Sequence, residues 1–254
     1  MKTIQSTKNE LIKEIKKLHK KKERERTQRF LIEGFHLIEE AWKNECEITQ
    51  VFFTNRGLNE WGEFFKHFPE EQKTLVSDEV MHTLSELPTP QGICAVVKMK
   101  EQKMTEWSGG WLLLDNVQDP GNVGTMIRSA DAFGLSGVIL GKGTADIYSG
   151  KVLRAMQGSN FHLPIVQMEL QESIDLLKKH KVTVYGTELN ERAISLSEVQ
   201  KTKNYAIILG NEGTGVSSEI LEKTDANIFI EMKGNAESLN VAIAASILMY
   251  SFSV

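Results

Sequence analysis

The chain has 254 residues, a formal net charge of −4, 41% hydrophobic residues and 25% charged residues. This is the composition of an ordinary globular protein, and the length allows one large domain or two small ones. The two cysteines, Cys46 and Cys94, form no CxxC motif. The sequence therefore argues against a disulfide framework or a zinc ribbon and favours a reducing compartment.

The charge is unevenly distributed along the chain. Residues 1–29 contain eleven basic and four acidic residues, so this segment carries +7 and the remainder −11. Leu11, Ile15 and Leu18 recur there at helical spacing, and Thr7 with Glu10 resembles a capping box. A basic helix on an acidic body fits a localised contact with nucleic-acid phosphates, and a solvated, charge-rich helix is the alternative.

The first part of the chain alternates helical and extended patterns. Residues 30–42 form a second predicted helix with Phe35, Ile38 and Trp42 on one stripe. Predicted strands follow at residues 51–54, 74–77 and 93–98. The pattern indicates a small α/β domain over residues 1–98. Residues 99–110 lose periodicity and end in Gly-Gly, which predicts a linker.

A new α/β pattern covers residues 111–254. Strands are predicted at residues 111–115, 138–140, 182–185, 206–209 and 228–230, and helices at 122–133, 173–180 and from about 238. This alternation predicts a mostly parallel sheet with helices on both faces. The longest apolar run, residues 241–250, is shorter than the ~20 residues of a membrane-spanning helix. No apolar run follows the N-terminal lysines, so neither a membrane span nor a secretory signal is predicted, and the expected location is cytoplasmic.

Three segments at predicted strand ends or before a helix are candidates for chemistry. The first, residues 115–124 (DNVQDPGNVG), is rich in turn-forming residues and leads into a helix. On that helix Arg128 projects away from the apolar stripe, toward solvent or a ligand. An ordinary surface arginine is the alternative.

The second segment, residues 209–216 (LGNEGTGV), follows an apolar strand and contains three glycines that permit a close backbone approach to a ligand. It matches neither GxGxxG nor a P-loop, and a plain strand–loop–helix turn would explain it as well. Glu212 suits a hydroxyl, an amine or an arginine better than a phosphate. The third segment, residues 234–240 (GNAESLN), opens a last helix that is apolar nearly all round. Such a helix is buried on more than one side, in a dimer interface or in a monomer core.

Other chemistries find no support in the sequence. The six histidines form no HxxxH or HExxH pattern, so no metal site is predicted. There is no GxSxG, which leaves Ser-His-Asp hydrolysis without support.

The three segments together resemble the three motifs of the SpoU/TrmH group in the SPOUT superfamily of RNA 2′-O-ribose methyltransferases. The matching stretches, in the family's order and spacing, are residues 119–124 with 128–134, residues 209–215, and residues 230–232 with 238–242. Residues 30–34 (FLIEG) resemble a hallmark of the family's substrate-binding domain, so the resemblance covers nearly the whole chain. Glu231 is a departure, because many relatives have proline there.

The resemblance implies a trefoil-knotted methyltransferase domain that works as a homodimer through this domain and the C-terminal helix. It also implies a small N-terminal α/β domain of the ribosomal L30e/L7Ae type, and S-adenosylmethionine as cofactor. The implied cofactor-binding residues are Thr187, Gly210, Ile230 and Leu239. The implied catalytic residues are Arg128, Asn122, Glu212, Ser238 and Asn240.

Methyl transfer from a sulfonium to a ribose hydroxyl needs in-line alignment and a group that takes or polarises the hydroxyl proton. By resemblance Arg128 is that group. Because arginine stays protonated in proteins, we predict an electrostatic role toward the target phosphate and the developing alkoxide. Asn122, Ser238 and Asn240 are predicted to orient the ribose and Arg128. Glu212 is predicted to pair with an arginine or to anchor the second loop.

The predicted reaction is therefore S-adenosylmethionine-dependent methylation of a ribose 2′-hydroxyl in structured RNA. The N-terminal domain favours 23S ribosomal RNA, since compact tRNA-modifying relatives often lack it. A tRNA 2′-O-methyltransferase and a non-catalytic RNA-binding relative are the alternatives. The intact catalytic set argues against the second of these.

Overall fold

The computed structural model describes residues 1–100, 102, 104 and 106–253. The chain forms two compact units: unit 1 comprises Met1–Glu101 and Tyr148–Phe161, and unit 2 comprises Gln102–Ile147 and His162–Val254. The segment Tyr148–Phe161 thus lies in unit 1, although the sequence groups it with residues 111–254. The assignment of a domain function to each predicted range stays a prediction. Residues 101, 103 and 105 of the predicted linker lie outside the described residues.

The strands are β1 (Lys2–Ile4), β2 (Arg29–Glu33), β3 (Ile48–Phe53), β4 (Lys73–Val76), β5 (Ile93–Lys98), β6 (Gly110–Leu114), β7 (Gly137–Leu140), β8 (Ile165–Gln167), β9 (Thr183–Thr187), β10 (Ile194–Ser195), β11 (Tyr205–Leu209) and β12 (Ala226–Phe229). The α-helices are α1 (Glu10–Lys16), α2 (Lys21–Thr27), α3 (Phe35–Lys43), α4 (Asn55–Trp61), α5 (Asp78–Leu84), α6 (Pro120–Ala132), α7 (Gly150–Met156), α8 (Leu170–Lys179), α9 (Ser218–Leu221) and α10 (Val241–Ser253). Short 3-10 helices occupy Lys17–His19, Phe64–His67, Glu70–Gln72 and Ser159–Phe161.

Unit 1 is built on a five-stranded mixed sheet in the order β1-β4-β3-β5-β2. The strands β1, β4 and β3 are parallel, and β5 runs antiparallel to β3 and β2. The basic helix α1 buries Ile12 and Ile15 against this sheet and leaves its lysines exposed. Asn9 caps α1, because its side chain accepts a 3.0 Å hydrogen bond from the Leu11 N–H. The predicted capping box that starts at Thr7 is therefore wrong.

Residues 30–42, predicted as one helix, form β2 and α3 instead. Gly34 separates them with a φ of +98°, a left-handed conformation that favours glycine. The strand forms because β2 pairs with β5 along its whole length. Helix α3 buries Ile38 but leaves Trp42 exposed, so the predicted stripe is only partly correct. Pairing with a strand more than 60 residues away outweighed the local helical pattern.

The helix α7, with the residues around it, packs within unit 1. It contacts β2, and the Tyr148 ring lies 4.7 Å from the Phe30 ring between centroids. The helix buries three apolar side chains: Val152, Leu153 and Met156. Unit 1 therefore takes a structural element from the middle of the C-terminal part of the chain.

Unit 2 contains a seven-stranded sheet in the order β10-β12-β9-β11-β6-β7-β8, and every pair is parallel. Because side chains alternate along a strand, Trp111 and Leu113 face α8 and α9 in one apolar cluster. On the opposite face Tyr205 meets Phe252 of α10 at 4.6 Å between ring centroids. The predicted mostly parallel sheet with helices on both faces is confirmed.

Within the described ranges, no helix is long and apolar enough to cross a membrane.

Candidate active site

The first and second candidate segments, residues 115–124 and 209–216, lie at the ends of two adjacent strands of unit 2. We call them the first loop and the second loop. Leu114 at the end of β6 is the register partner of Leu209 at the end of β11. The Asp115 N–H also donates to the Leu209 carbonyl at 2.8 Å. Ligands of parallel α/β sheets bind at the carboxyl ends of the strands, so these loops lie where a ligand is expected.

Glu212 of the second loop holds the first loop through its carboxylate. One oxygen accepts hydrogen bonds from the Asn122 side-chain amide at 3.0 Å and the Asp119 N–H at 3.1 Å, and the other from the Gln118 N–H at 3.3 Å. Burial raises the pKa of Glu212, but these donors and its own backbone N–H outweigh burial and hold the pKa below its ordinary value. Glu212 is therefore an ionised anchor between two loops, one of its two predicted roles.

Asn122 and Asn240 extend this anchor to the third segment. The Asn240 side-chain amide donates to the Asn122 side-chain carbonyl at 3.0 Å. The side-chain oxygen of Asn240 in turn accepts from the Ala242 N–H at 2.9 Å and so caps the start of α10. A continuous hydrogen-bonded chain from Glu212 through Asn122 to Asn240 thus joins all three segments.

The second loop needs glycine at its first position. A Cβ on Gly210 would lie 2.0 Å from the carbonyl carbon of Gly215, so no side chain fits there. Asn211 organises the turn, because its side-chain oxygen accepts from the N–H groups of Gly213 at 2.9 Å and Thr214 at 3.2 Å. The side-chain amide of Asn211 donates to the Asn116 carbonyl of the first loop at 3.0 Å. Sequence reasoning missed Asn211, although asparagine's preference for such turns was available as a signal.

A cavity of about 710 Å³ opens beside this network. Its lining includes the four predicted cofactor-binding residues, Thr187, Gly210, Ile230 and Leu239, together with Glu212, Ser238 and Asn240. The Thr187 hydroxyl donates to the Ile208 carbonyl at 2.8 Å, so its proton is already engaged. Small-molecule sites usually span about 300–1,000 Å³. The mainly apolar wall, with backbone exposed at Gly210, suits a ligand that has a flat apolar ring and several hydrogen-bonding groups.

Arg128 is an exposed residue on α6 and is not among the residues that line this cavity. Among the described residues, Asn122 bonds to Glu212 and Asn240 bonds to Asn122, and neither side chain bonds to Arg128. Helix α6 packs against α10, where the Ser129 and Ser246 hydroxyls lie 2.8 Å apart. The structure therefore brings together four of the five predicted catalytic residues and leaves Arg128 apart from them within one chain.

No metal site is predicted from the sequence, yet unit 1 contains one group of suitable side chains in the described part of the chain: His36, Glu39 and Glu40 on α3, with ligand atoms within 4.8 Å of one another. Lys43 pairs with both carboxylates, at 3.2 and 3.4 Å. The His36 Nε2 atom lies 3.1 Å from the Gln157 carbonyl oxygen. The two carboxylates thus already have a cation as partner.

Comparison with known proteins places these features in a family. Residues 111–250 match the SpoU rRNA Methylase family, and residues 9–95 match the MRM3-like substrate binding domain. The chain is 46% identical to the 23S rRNA (guanosine(2553)-2′-O)-methyltransferase RlmP of Bacillus subtilis (strain 168), over 98% of both chains.

Solved structures agree with this relationship. An AdoMet-bound rRNA methyltransferase from Sinorhizobium meliloti has a TM-score of 0.86 at 28% identity, covering 99% of this chain and 97% of its own. An RNA 2′-O ribose methyltransferase has a TM-score of 0.85 at 32% identity, covering 98% of this chain and 97% of its own. The chain belongs to the SpoU rRNA Methylase family.

Proposed function

We propose that this protein transfers a methyl group from S-adenosylmethionine to a ribose 2′-hydroxyl of 23S ribosomal RNA. The observation that carries the proposal is the hydrogen-bonded chain from Glu212 through Asn122 to Asn240. It fixes three family motifs around a cavity that suits the cofactor. A fixed arrangement of this kind lowers the cost of aligning an acceptor with a donor.

The cofactor would occupy the cavity in unit 2. Backbone groups at Gly210, Ile230 and Leu239 and the wall at Thr187 would hold its adenosine part. When bound, S-adenosylmethionine supplies a methyl group activated by its sulfonium. Ser238, on the cavity wall, would meet the acceptor ribose, while Glu212 and the asparagines keep the loops in place.

Arg128 would act on the RNA through charge. An arginine side chain remains a cation, so it cannot remove the hydroxyl proton at ordinary pH. It can neutralise the adjacent phosphate and stabilise the alkoxide that would develop as the hydroxyl oxygen bonds to the methyl carbon. The carbon–sulfur bond would break with S-adenosylhomocysteine as leaving group, and the hydroxyl proton would pass to solvent water. This role requires Arg128 to reach a cavity that it does not line within one chain.

A homodimer through α10 would meet this requirement. The helix exposes three apolar side chains at helical spacing, with 52% of Ile243, 38% of Ile247 and 58% of Tyr250 accessible. Exposed apolar stripes of this kind mark protein interfaces. Because α6 packs beside α10, a partner on this stripe would lie close to the helix that carries Arg128.

The proposal includes a trefoil knot in unit 2 and an L30e/L7Ae-type fold for unit 1. Strand β11 lies between β6 and β9, so the chain returns to the middle of its own sheet, as a knotted path requires. A ribosomal RNA substrate would place the enzyme in the cytoplasm. The full-length similarity to a 23S rRNA methyltransferase favours ribosomal RNA over tRNA.

The test is methylation of two transcripts with labelled S-adenosylmethionine: a 23S rRNA segment that contains guanosine 2553, and bulk unmodified tRNA. We expect label only in the 23S segment, at a single ribose mapped by primer extension. Label in tRNA alone would overturn the proposed substrate. Calorimetry with S-adenosylmethionine separates the non-catalytic alternative, because a protein without a functional cofactor site would show no binding heat.

A further inference from the structure

The family matches group helix α7 with the methylase part of the chain, whereas the structure packs it in unit 1. Its residues lie inside the 111–250 match to the methylase family and outside the 9–95 match to the substrate binding domain. In the structure, Tyr148–Phe161 packs as part of unit 1. The surface of unit 1 therefore includes residues that its sequence family does not assign to it.

Helix α7 and the start of α2 border one narrow cleft in unit 1. The cleft is lined by His19 and Arg24 on one side and by Gly150 and Arg154 on the other. Glu86 lies between them, with its carboxylate 3.4 Å from the His19 Nδ1 atom and 4.0 Å from an Arg154 guanidinium nitrogen. The basic N-terminal segment and α7 are thus neighbours on one surface.

Several lysines of the N-terminal helices and of α7 make no direct ion pair with any described residue. Among the described residues, the exposed lysines without an ion pair within 4.0 Å on α1, its 3-10 extension and the start of α2 are Lys16, Lys17, Lys20 and Lys22. The acids of α2 are occupied, since Glu23 pairs with Arg26 and Glu25 with Lys21. Lys151 on α7 is likewise exposed and has no ion pair in the described chain.

We propose that α7 completes the RNA-binding surface of unit 1, with Lys151 contacting an RNA phosphate beside the lysines of the N-terminal helices. The inference rests on the proposed function, because it takes RNA as the substrate. Lysine ammonium groups bind phosphate as point charges, and a cluster of unpaired lysines gives strong, salt-dependent attraction. An RNA backbone is therefore the occupant that matches the charge of this surface.

Lys151 is the residue that distinguishes this proposal from a packing role for α7. Arg154 pairs with Glu86 and is half-buried, so its loss would also disturb the cleft. Lys151 is exposed and makes no ion pair with a described residue, so Lys151→Ala should leave the fold unchanged. Lys179→Ala on α8 is a matched control, because Lys179 is also exposed and has no ion pair among the described residues.

The experiment measures binding of the guanosine 2553 transcript by full-length protein at several salt concentrations. For Lys151→Ala we expect about three- to ten-fold weaker binding near physiological salt and a log–log salt slope smaller by about one. Lys151→Glu should bind more weakly still. In methylation, KM for the transcript should rise while kcat at saturating transcript and the affinity for S-adenosylmethionine stay near wild type. Lys179→Ala should match wild type throughout.

Wild-type affinity and salt slope in both Lys151 variants would overturn the inference while leaving the proposed function intact. An equal loss in Lys179→Ala would also overturn it, because the effect would then be one of total charge. If wild-type protein neither binds nor methylates the transcript, the proposed function fails, and the inference fails with it.

Discussion

Glu212 is a carboxylate on the wall of the cavity, and both of its oxygens accept hydrogen bonds from the first loop. Three donors from the first loop meet it, and the network lowers its pKa. A group whose folded pKa is lowered contributes stability that is present above its ordinary pKa of about 4.3 and is lost as pH falls through the folded value. Glu212 therefore stays ionised at neutral pH and has no proton to donate there.

We predict that Glu212→Gln lowers kcat/KM by about ten-fold or more, since hydrogen bonds to a charged group contribute about 1.5–3 kcal/mol each. The pH–rate profile between roughly pH 6 and 9 should keep its shape, because the carboxylate does not titrate in that range. Rates across this range for wild type, Glu212→Gln and the exposed control Glu172→Gln test this. If the pH–rate profile loses a titrating limb in Glu212→Gln but keeps it in wild type and in Glu172→Gln, the anchoring role is contradicted.

For Arg128→Ala we predict a fall in kcat of about 100-fold or more, the usual cost of removing a group that stabilises developing negative charge. Affinity for S-adenosylmethionine should stay within about two-fold of wild type, because Arg128 does not line the cavity. Thr125→Ala, an exposed change on the same helix, serves as the control. Single-turnover methylation and calorimetry measure the two effects. Unchanged turnover in Arg128→Ala would remove Arg128 from the mechanism.

The residues of the candidate site were predicted through the resemblance to the family's three motifs, because turn-forming residues and glycines indicate a loop without assigning a role to each side chain. The contacts that these residues make with one another could not be predicted from the sequence. Nothing in the sequence indicates that Asn122 and Asn240, over 100 positions apart, bond to each other rather than to Arg128. The bond from Asn211 to Asn116 could not be predicted for the same reason, since it depends on two loops meeting in space.

At the scale of secondary structure, patterns were reliable where the element is buried on both sides or strongly periodic. The strand β5 and the central strands β6 and β11 lie close to their predicted positions. The sequence pattern predicted the wrong element at β2, where the apolar residues 30–32 fit either a helix or a strand. The local sequence alone does not determine whether these residues form a helix or a strand, because the strand is stabilised by pairing with β5.

The exposed stripe on α10 leads to a prediction about assembly. A charge on this stripe would be buried without a partner if the stripe is a dimer interface, which is strongly unfavourable. We predict that Ile247→Asp converts a homodimer to a monomer in sedimentation experiments. Ile194→Asp is a matched control, because Ile194 and Ile247 are each 38% exposed. If both variants sediment like the wild-type protein, α10 does not form the interface.

For the whole molecule, the sequence predicts a linear order of two domains, whereas each compact unit of the structure is made of two separate stretches of the chain. The chain enters unit 1 at Tyr148 and leaves it after Phe161. Helix α7 is only seven residues long and lies among turn-forming residues, so its hydrophobic pattern gives little information about where it packs. Which unit it packs against is decided by its contacts with β2, which form only once unit 1 is folded.

The last prediction concerns the stability of unit 1. A fragment of residues 1–101 lacks α7, so Leu31 and Leu37, which share the cleft with Leu153, lose apolar cover. Full burial of one aliphatic side chain stabilises a protein by about 1.5–3 kcal/mol. The comparison protein is the same fragment joined through a flexible linker to residues 148–161. We expect residues 1–101 alone to have a free energy of unfolding about 2–4 kcal/mol lower than this joined fragment. Urea unfolding followed by circular dichroism measures the difference. The joined fragment with Leu153→Asp is the matched control and should unfold like residues 1–101 alone, since a buried carboxylate prevents docking. If all three proteins unfold at the same urea concentration, α7 is not a structural part of unit 1.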